Sequence, residues 1–290
     1  MVRGAAGVRG RRRSVGPTLA LPGRTVVAPR PAGVRTTEPD VPAWTILHPT
    51  TSARHDRATT QETLVHVLVI GGTSGTGAAL VDQLLHAGEQ VRVLARDPEK
   101  AAPLVDRGVE VVAGDLTADG VHEAVEGVDA VAFCAGSGSS TGKDQTLLVD
   151  LHGALRTIDA ATALGARRYL MLSSIAAADP LQFGADAGIA SYLAAKHAAD
   201  RVLAASELDW TILRPGGLTD DPPTGALHVR QPRIPDAELG DRSISRVDVA
   251  ATMLACLRDD TSIGATFEFI RGEVPIEQAV RDLHPLGPNA

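Results

Sequence analysis

Tyr192 and Lys196, in the stretch SYLAAKHAADRVL, are the pair whose types and spacing most directly suggest proton chemistry. Four residues apart on a helical pattern, they share one face and stack one turn from each other. A phenol hydroxyl can exchange a proton with a carbonyl oxygen, and an ammonium one turn away stabilises the phenolate left behind. Chance is a poor source for such a pair, since the chain holds two tyrosines and three lysines in 290 residues. The plain alternative is a surface helix that happens to carry two polar residues. Ser173 and Ser174 close the apolar run YLML, where either hydroxyl could donate to a substrate carbonyl or simply cap a strand end.

Such chemistry needs a redox partner, and the stretch from Val65 to Arg96 supplies the signature of one. The apolar, β-branched run Val65 to Ile70 stops at GGTSGTG, and Leu80, Leu84 and Leu85 then recur at helical spacing until Gly88. A second β-branched run, Val91 to Leu94, follows. Strand, glycine turn, helix, strand is the unit whose backbone N–H groups and helix N-terminus hold a pyrophosphate. Gly71, Gly75 and Gly77 give the spacing G-x-x-x-G-x-G, with Thr73, Ser74 and Thr76 completing the candidate phosphate loop. A glycine-rich turn without a ligand is the alternative, and the intact βαβ context weighs against it. Arg96 ends the second strand, where an arginine would pair with the 2′-phosphate of NADP(H) and an acid would take the ribose hydroxyls of NAD(H). NADP(H) is therefore preferred and NAD(H) remains possible, because Asp97 follows directly and a strand one residue longer would reverse the inference.

Around this unit the charge is uneven. The first sixty residues hold ten Arg, no Lys and three acidic residues, so the remainder carries a net charge of −14 within a total of −7. An acidic body speaks against a nucleic-acid partner, and no apolar run approaches the length of a membrane span. Residues 1–62, rich in Arg and Pro, read as a disordered extension; Arg11 to Arg13 before SVGPTLALPG has a faint export flavour that Pro17 and Pro22 interrupt. We prefer an extension upstream of the natural start to an export signal. The expected organisation is this extension followed by one nucleotide-binding domain, 63–290, in a cytoplasmic protein acting on a small molecule. Cys134 and Cys256 lack CxxC partners and the histidines lack ligand spacing, so no metal is expected. Oligomeric state is left open.

From Val65 onward strand and helix alternate. Strands are expected at Val109 to Val112, Asp129 to Cys134, Arg168 to Leu172, Trp210 to Leu213 and Thr266 to Ile270. Helices are expected at Pro98 to Arg107, Gly120 to Glu126, Lys143 to Leu164, Ile189 to Ala205 and Arg246 to Leu257. Crossovers of this length require a parallel sheet, so the fold class is α/β, a doubly wound Rossmann sheet of about seven strands. Leu218 to Asp241 is expected to form a small lid. Asp150 and His152 lie on the long helix with nothing in their spacing to mark catalysis, and His197 is expected to be solvated.

These motifs together resemble the atypical, NmrA-like short-chain dehydrogenase/reductases, over essentially all of Val65 to Leu283. GDL resembles the turn whose Asp115, beside Leu116, reaches the adenine; CAG, residues Cys134, Ala135 and Gly136, resembles the turn along the cofactor; RPGG, with Pro215 and Gly216, resembles the turn after the sixth strand. The resemblance implies that Lys196 also holds the nicotinamide ribose, and that the catalytic serine maps to Ser174 with Ser173 as alternate. The expected function is an enzyme, an NAD(P)H-dependent reductase of a small carbonyl or quinone-like acceptor with Tyr192 as proton donor. The alternatives are a non-catalytic NADP(H) sensor, against which the Tyr–Lys pair speaks, and, less favoured, a sugar-nucleotide epimerase or dehydratase, against which the short segment after RPGG speaks.

Overall fold

The computed structural model describes residues 65–138, 141–181 and 188–286. The expectation of disorder over 1–62 lies outside the described residues.

In chain order the strands are β1 (His66–Ile70), β2 (Gln90–Ala95), β3 (Glu110–Ala113), β4 (Ala130–Phe133), β5 (Arg168–Leu172), β6 (Asp209–Pro215), β7 (Gly217–Thr219), β8 (Ala226–Arg230), β9 (Ser243–Ser245), β10 (Ala265–Arg271) and β11 (Val274–Pro275). The helices are α1 (Gly75–His86), α2 (Pro98–Val105), α3 (Val121–Val125), the short α4 (Lys143–Gln145), α5 (Ala154–Leu164), α6 (Ala190–Ala204), α7 (Arg246–Arg258) and α8 (Ile276–Arg281). Strands β3-β2-β1-β4-β5-β6-β10 run parallel in that order, so the chain reverses direction of travel between β1 and β4. In such a sheet the crevice at the strands' C-terminal ends, at that reversal, is where ligands bind.

Parallel strands are buried on both faces, and β1 shows why its sequence is continuously apolar. Val67 and Val69 join the core that includes Leu80 and Leu84 of α1 and Val249 and Met253 of α7. Leu68 and Ile70 join the opposite core, with Ala154 and Ile158 of α5 and Leu203 of α6.

Two expectations need correction. Among the described residues the sheet has nine strands, because β8, antiparallel to β10, and β11, antiparallel to β8, extend it. The supposed lid thus becomes sheet edge in part: β8 lies inside it, while β7 pairs with β9 in a separate two-stranded ladder. The long helix before β5 is also interrupted, since Thr146–Gly153 is wound as a π-helix between α4 and α5. Such wide turns concentrate at functional sites. Among the described residues no helix is long and apolar enough to cross a membrane.

Candidate active site

The glycine turn opens onto a groove of about 470 Å³ bordered by Gly71, Thr73 to Thr76, the end of β2, the GDL turn and the CAG turn. Gly71 has φ +83°, and a side chain there would meet the backbone of Ala135, so the turns after β1 and β4 approach each other because that position is glycine. Gly77 does not line the groove; it is buried, and a Cβ on it would strike the Gly71 carbonyl, which lets α1 start close under the loop. Thr76 Oγ1 is buried and has no hydrogen-bond partner among the described residues, and Ser74, the N-cap of α1, makes no side-chain cap bond. Unspent donors at a helix N-terminus, with no acidic residue in its first turn, suit an anion such as a dinucleotide pyrophosphate.

Arg96 follows directly on β2, exposed at the groove wall. Asp97 is spent locally: its carboxylate accepts from the N–H groups of Glu99 and Lys100 as N-cap of α2 and pairs with the Lys100 ammonium at 3.1 Å. Those Lys100 contacts hold Asp97 below the usual carboxylate range. Asp115 also borders the groove, with Oδ1 accepting from the Thr117 N–H and hydroxyl, both at 2.7 Å. Partial burial opposes its charge, but the Thr117 bonds, with Arg96 and Arg156 nearby, hold its carboxyl below the ordinary value.

Leu116, Cys134, Ala135 and Gly136 line the groove as expected from their turns. The Cys134 sulfur packs 3.7 Å from that of Met253, and burial pushes its thiol up to about 12. Pro215 and Gly216 do not line the groove. The Pro215 carbonyl accepts from Ile175, and the Gly216 N–H donates to Phe269, so the sheet itself uses this turn.

Lys196 lies under the far end of the groove. Its side chain is 3% exposed, and its Nζ is 3.0 Å from the Leu172 carbonyl and 3.4 Å from that of Ala135, two residues of the groove wall. Its third neighbour is Asp150, to which the sequence assigns no role: Oδ1 is 3.5 Å away and fully buried. Asp150 also accepts from the Ser137 N–H through Oδ2. The π-helical winding carries Asp150, so one carboxylate ties the CAG turn to the lysine. Lys196 Nζ stands 5.9 Å from the centre of the Tyr192 ring. Tyr192 and Lys196 are thus brought together, with the lysine's charge answered by Asp150.

The two serines part company. Ser173 is buried and donates to Asp200 at 2.8 Å; the same Asp200 oxygen takes the Arg214 Nε–H at 3.0 Å. Burial raises Asp200, and the Arg214 charge and these bonds oppose the rise. The Ser173 hydroxyl hydrogen is thus committed to this buried cluster. Ser174 is half-buried and, among the described residues, donates only a 3.2 Å bond to the adjacent Ile175 carbonyl.

Arg246, the first residue of α7, also borders the groove and was not anticipated.

A parallel sheet with this reversal, a glycine turn facing the crevice and Lys196 against the groove walls one turn from Tyr192 mark a dinucleotide-binding Rossmann protein of the short-chain dehydrogenase/reductase kind. Residues 71–260 match the NAD(P)H-binding family, and the chain belongs to it. An uncharacterized sugar epimerase of Bacillus subtilis is 37% identical over 220 residues, covering 75% of this chain and 99% of that protein. A putative NAD-dependent epimerase/dehydratase from Bacillus halodurans superposes with a TM-score of 0.70 at 37% identity, over 76% of this chain and all of that one. An oxidoreductase from Lactococcus lactis does so with a TM-score of 0.63 at 26% identity, over 76% and 96%.

Proposed function

We propose that the protein is an NADPH-dependent oxidoreductase that reduces a small carbonyl or quinone-like acceptor, with Tyr192 as proton donor. The observation that carries this reading is the position of Lys196: its buried Nζ contacts the groove walls at Ala135 and Leu172 and faces the Tyr192 ring. The bound nicotinamide would supply a hydride to the acceptor carbon, leaving the carbonyl oxygen to gain a proton. Tyr192 gives that proton, and the Ser174 hydroxyl turns from Ile175 to hold the oxygen. Lys196 is held by the Leu172 and Ala135 carbonyls and paired with Asp150 beside the phenol; exchanging the long Ala135 contact would let it take a ribose hydroxyl. Arg96 supports NADPH, since the competing Asp97 is consumed as a helix cap.

A second reading, epimerisation of a sugar at a retained cofactor, is favoured by the names of the two Bacillus relatives and would use the same Tyr192 and Lys196. Against it, the segment between β6 and α7 builds only three short strands and a single turn, with no second domain for a nucleotide sugar.

Oxidation of NADPH against a panel of aldehydes, ketones and quinones tests the proposal. Turnover with members of the panel supports the reductase. Cofactor that co-purifies and sugar interconversion without net NADPH consumption would replace it with the epimerase, and tight binding without either activity would replace it with a sensor.

A further inference from the structure

Arg246 begins α7, 171 residues along the chain from Gly75, yet its side chain lies over the glycine turn. A Cβ built on Gly75 would stand 3.7 Å from Arg246 Nε and 3.8 Å from its Cδ. Gly75 has φ +54°, so the turn carries no side chain of its own at the point the arginine covers. Among the described residues lining the groove, Arg96 and Arg246 are the cations. Arg96 stands after β2, at the wall shared with Asp115, whereas Arg246 stands over Gly75 at the start of α1, the residue before Thr76 with its unpartnered hydroxyl, and Leu218 of β7 lines the same groove.

The guanidinium is held at present by a surface carboxylate. Its Nη1 is 2.8 Å from Asp220 Oδ1, and the Asp220 side chain is 88% exposed. Ion pairs this open to water hold weakly, while a guanidinium on phosphate oxygens makes strong, charge-assisted bonds. The residues flanking Arg246 fasten the same segment: the Ser245 hydroxyl donates to the Asp221 carbonyl, and Asp248 accepts from the N–H groups of Thr224 and Gly225.

We propose that Arg246 is a second cofactor-binding cation, exchanging Asp220 for the pyrophosphate of the dinucleotide. Arg96 reads the feature that separates NADPH from NADH; Arg246 grips what they share. Because Asp220 follows β7, which brings Leu218 to the groove, the exchange also couples cofactor binding to the segment after β6.

The test is fluorescence titration of the full chain with NADPH and with NADH, comparing parent, Arg246→Gln, Arg246→Lys and Asp220→Asn. Arg246→Gln is expected to weaken both nucleotides by the same factor, about tenfold or more, with Arg246→Lys intermediate. Asp220→Asn, which removes the competitor, is expected to tighten both by a few-fold. Parent-like affinity in Arg246→Gln overturns the role, and so does weakening confined to NADPH, which would place the contact on the 2′-phosphate. If Arg246→Gln fails to fold by circular dichroism, Asp220→Asn decides, and unchanged affinities there overturn the proposal. A parent that binds neither nucleotide would overturn the cofactor assignment itself, a distinguishable result.

Discussion

Lys196 Nζ lies 3.5 Å from Asp150 Oδ1, with the two side chains 3% and 0% exposed. A lysine one turn from a tyrosine is thereby also half of a buried ion pair that spans from α6 to the π-helical turn before α5. Removing one member of a buried pair leaves an uncompensated charge in a poor dielectric, a larger loss than the pair's net worth.

Asp150→Asn is accordingly expected to destabilise the protein by about 3–5 kcal/mol in urea unfolding at neutral pH. The double variant with Lys196→Met is expected to recover part of that loss, because no lone charge remains. An unchanged midpoint in Asp150→Asn would show that the pair is not what holds Lys196.

An NADPH preference is expected from the division of labour between Arg96 and Asp97. With Asp97 capping α2, Arg96 is the group free to meet a 2′-phosphate, and NADPH is expected to bind about ten- to a hundredfold more tightly than NADH. Arg96→Ala should erase that difference in fluorescence titrations while sparing NADH. Equal affinities in the parent would refute the role given to Arg96.

The serines give a contrast between stability and turnover. Ser173→Ala strips a buried hydrogen bond from Asp200 and is expected to cost about 1–3 kcal/mol, read as a lowered melting temperature. Ser174→Ala is expected to leave melting nearly unchanged and to reduce carbonyl turnover. The opposite pattern would return the catalytic role to Ser173.

Local pattern made the nucleotide-binding half legible. The turn GGTSGTG, the β-branched runs beside it and the Arg246 to Leu257 helix are set by residues near in sequence, and the structure has all of them. What escaped depends on distant partners. Ala226–Arg230 is a strand because β10 offers it an antiparallel edge, with Phe269 opposite Val229, and neighbouring prolines and aspartates mask that run locally. Asp150 looks like any polar residue on a helix until the winding turns it toward Lys196. Ser173 and Ser174 share one context, and only the buried Asp200 tells them apart. The proximity of Arg246 to Gly75 arises from α7 packing on α1, which no short motif encodes.

The central claim, that Tyr192 delivers a proton beside a dinucleotide held in this groove, is tested most directly by Tyr192→Phe with a simple ketone or aldehyde taken from the panel. A quinone is unsuitable, since solvent can protonate its stabilised anion. Loss of turnover by a factor of about 10²–10⁴, with the dissociation constant for NADPH within about twofold of the parent, is the result the account expects. Carbonyl reduction at the parental rate in Tyr192→Phe would contradict it.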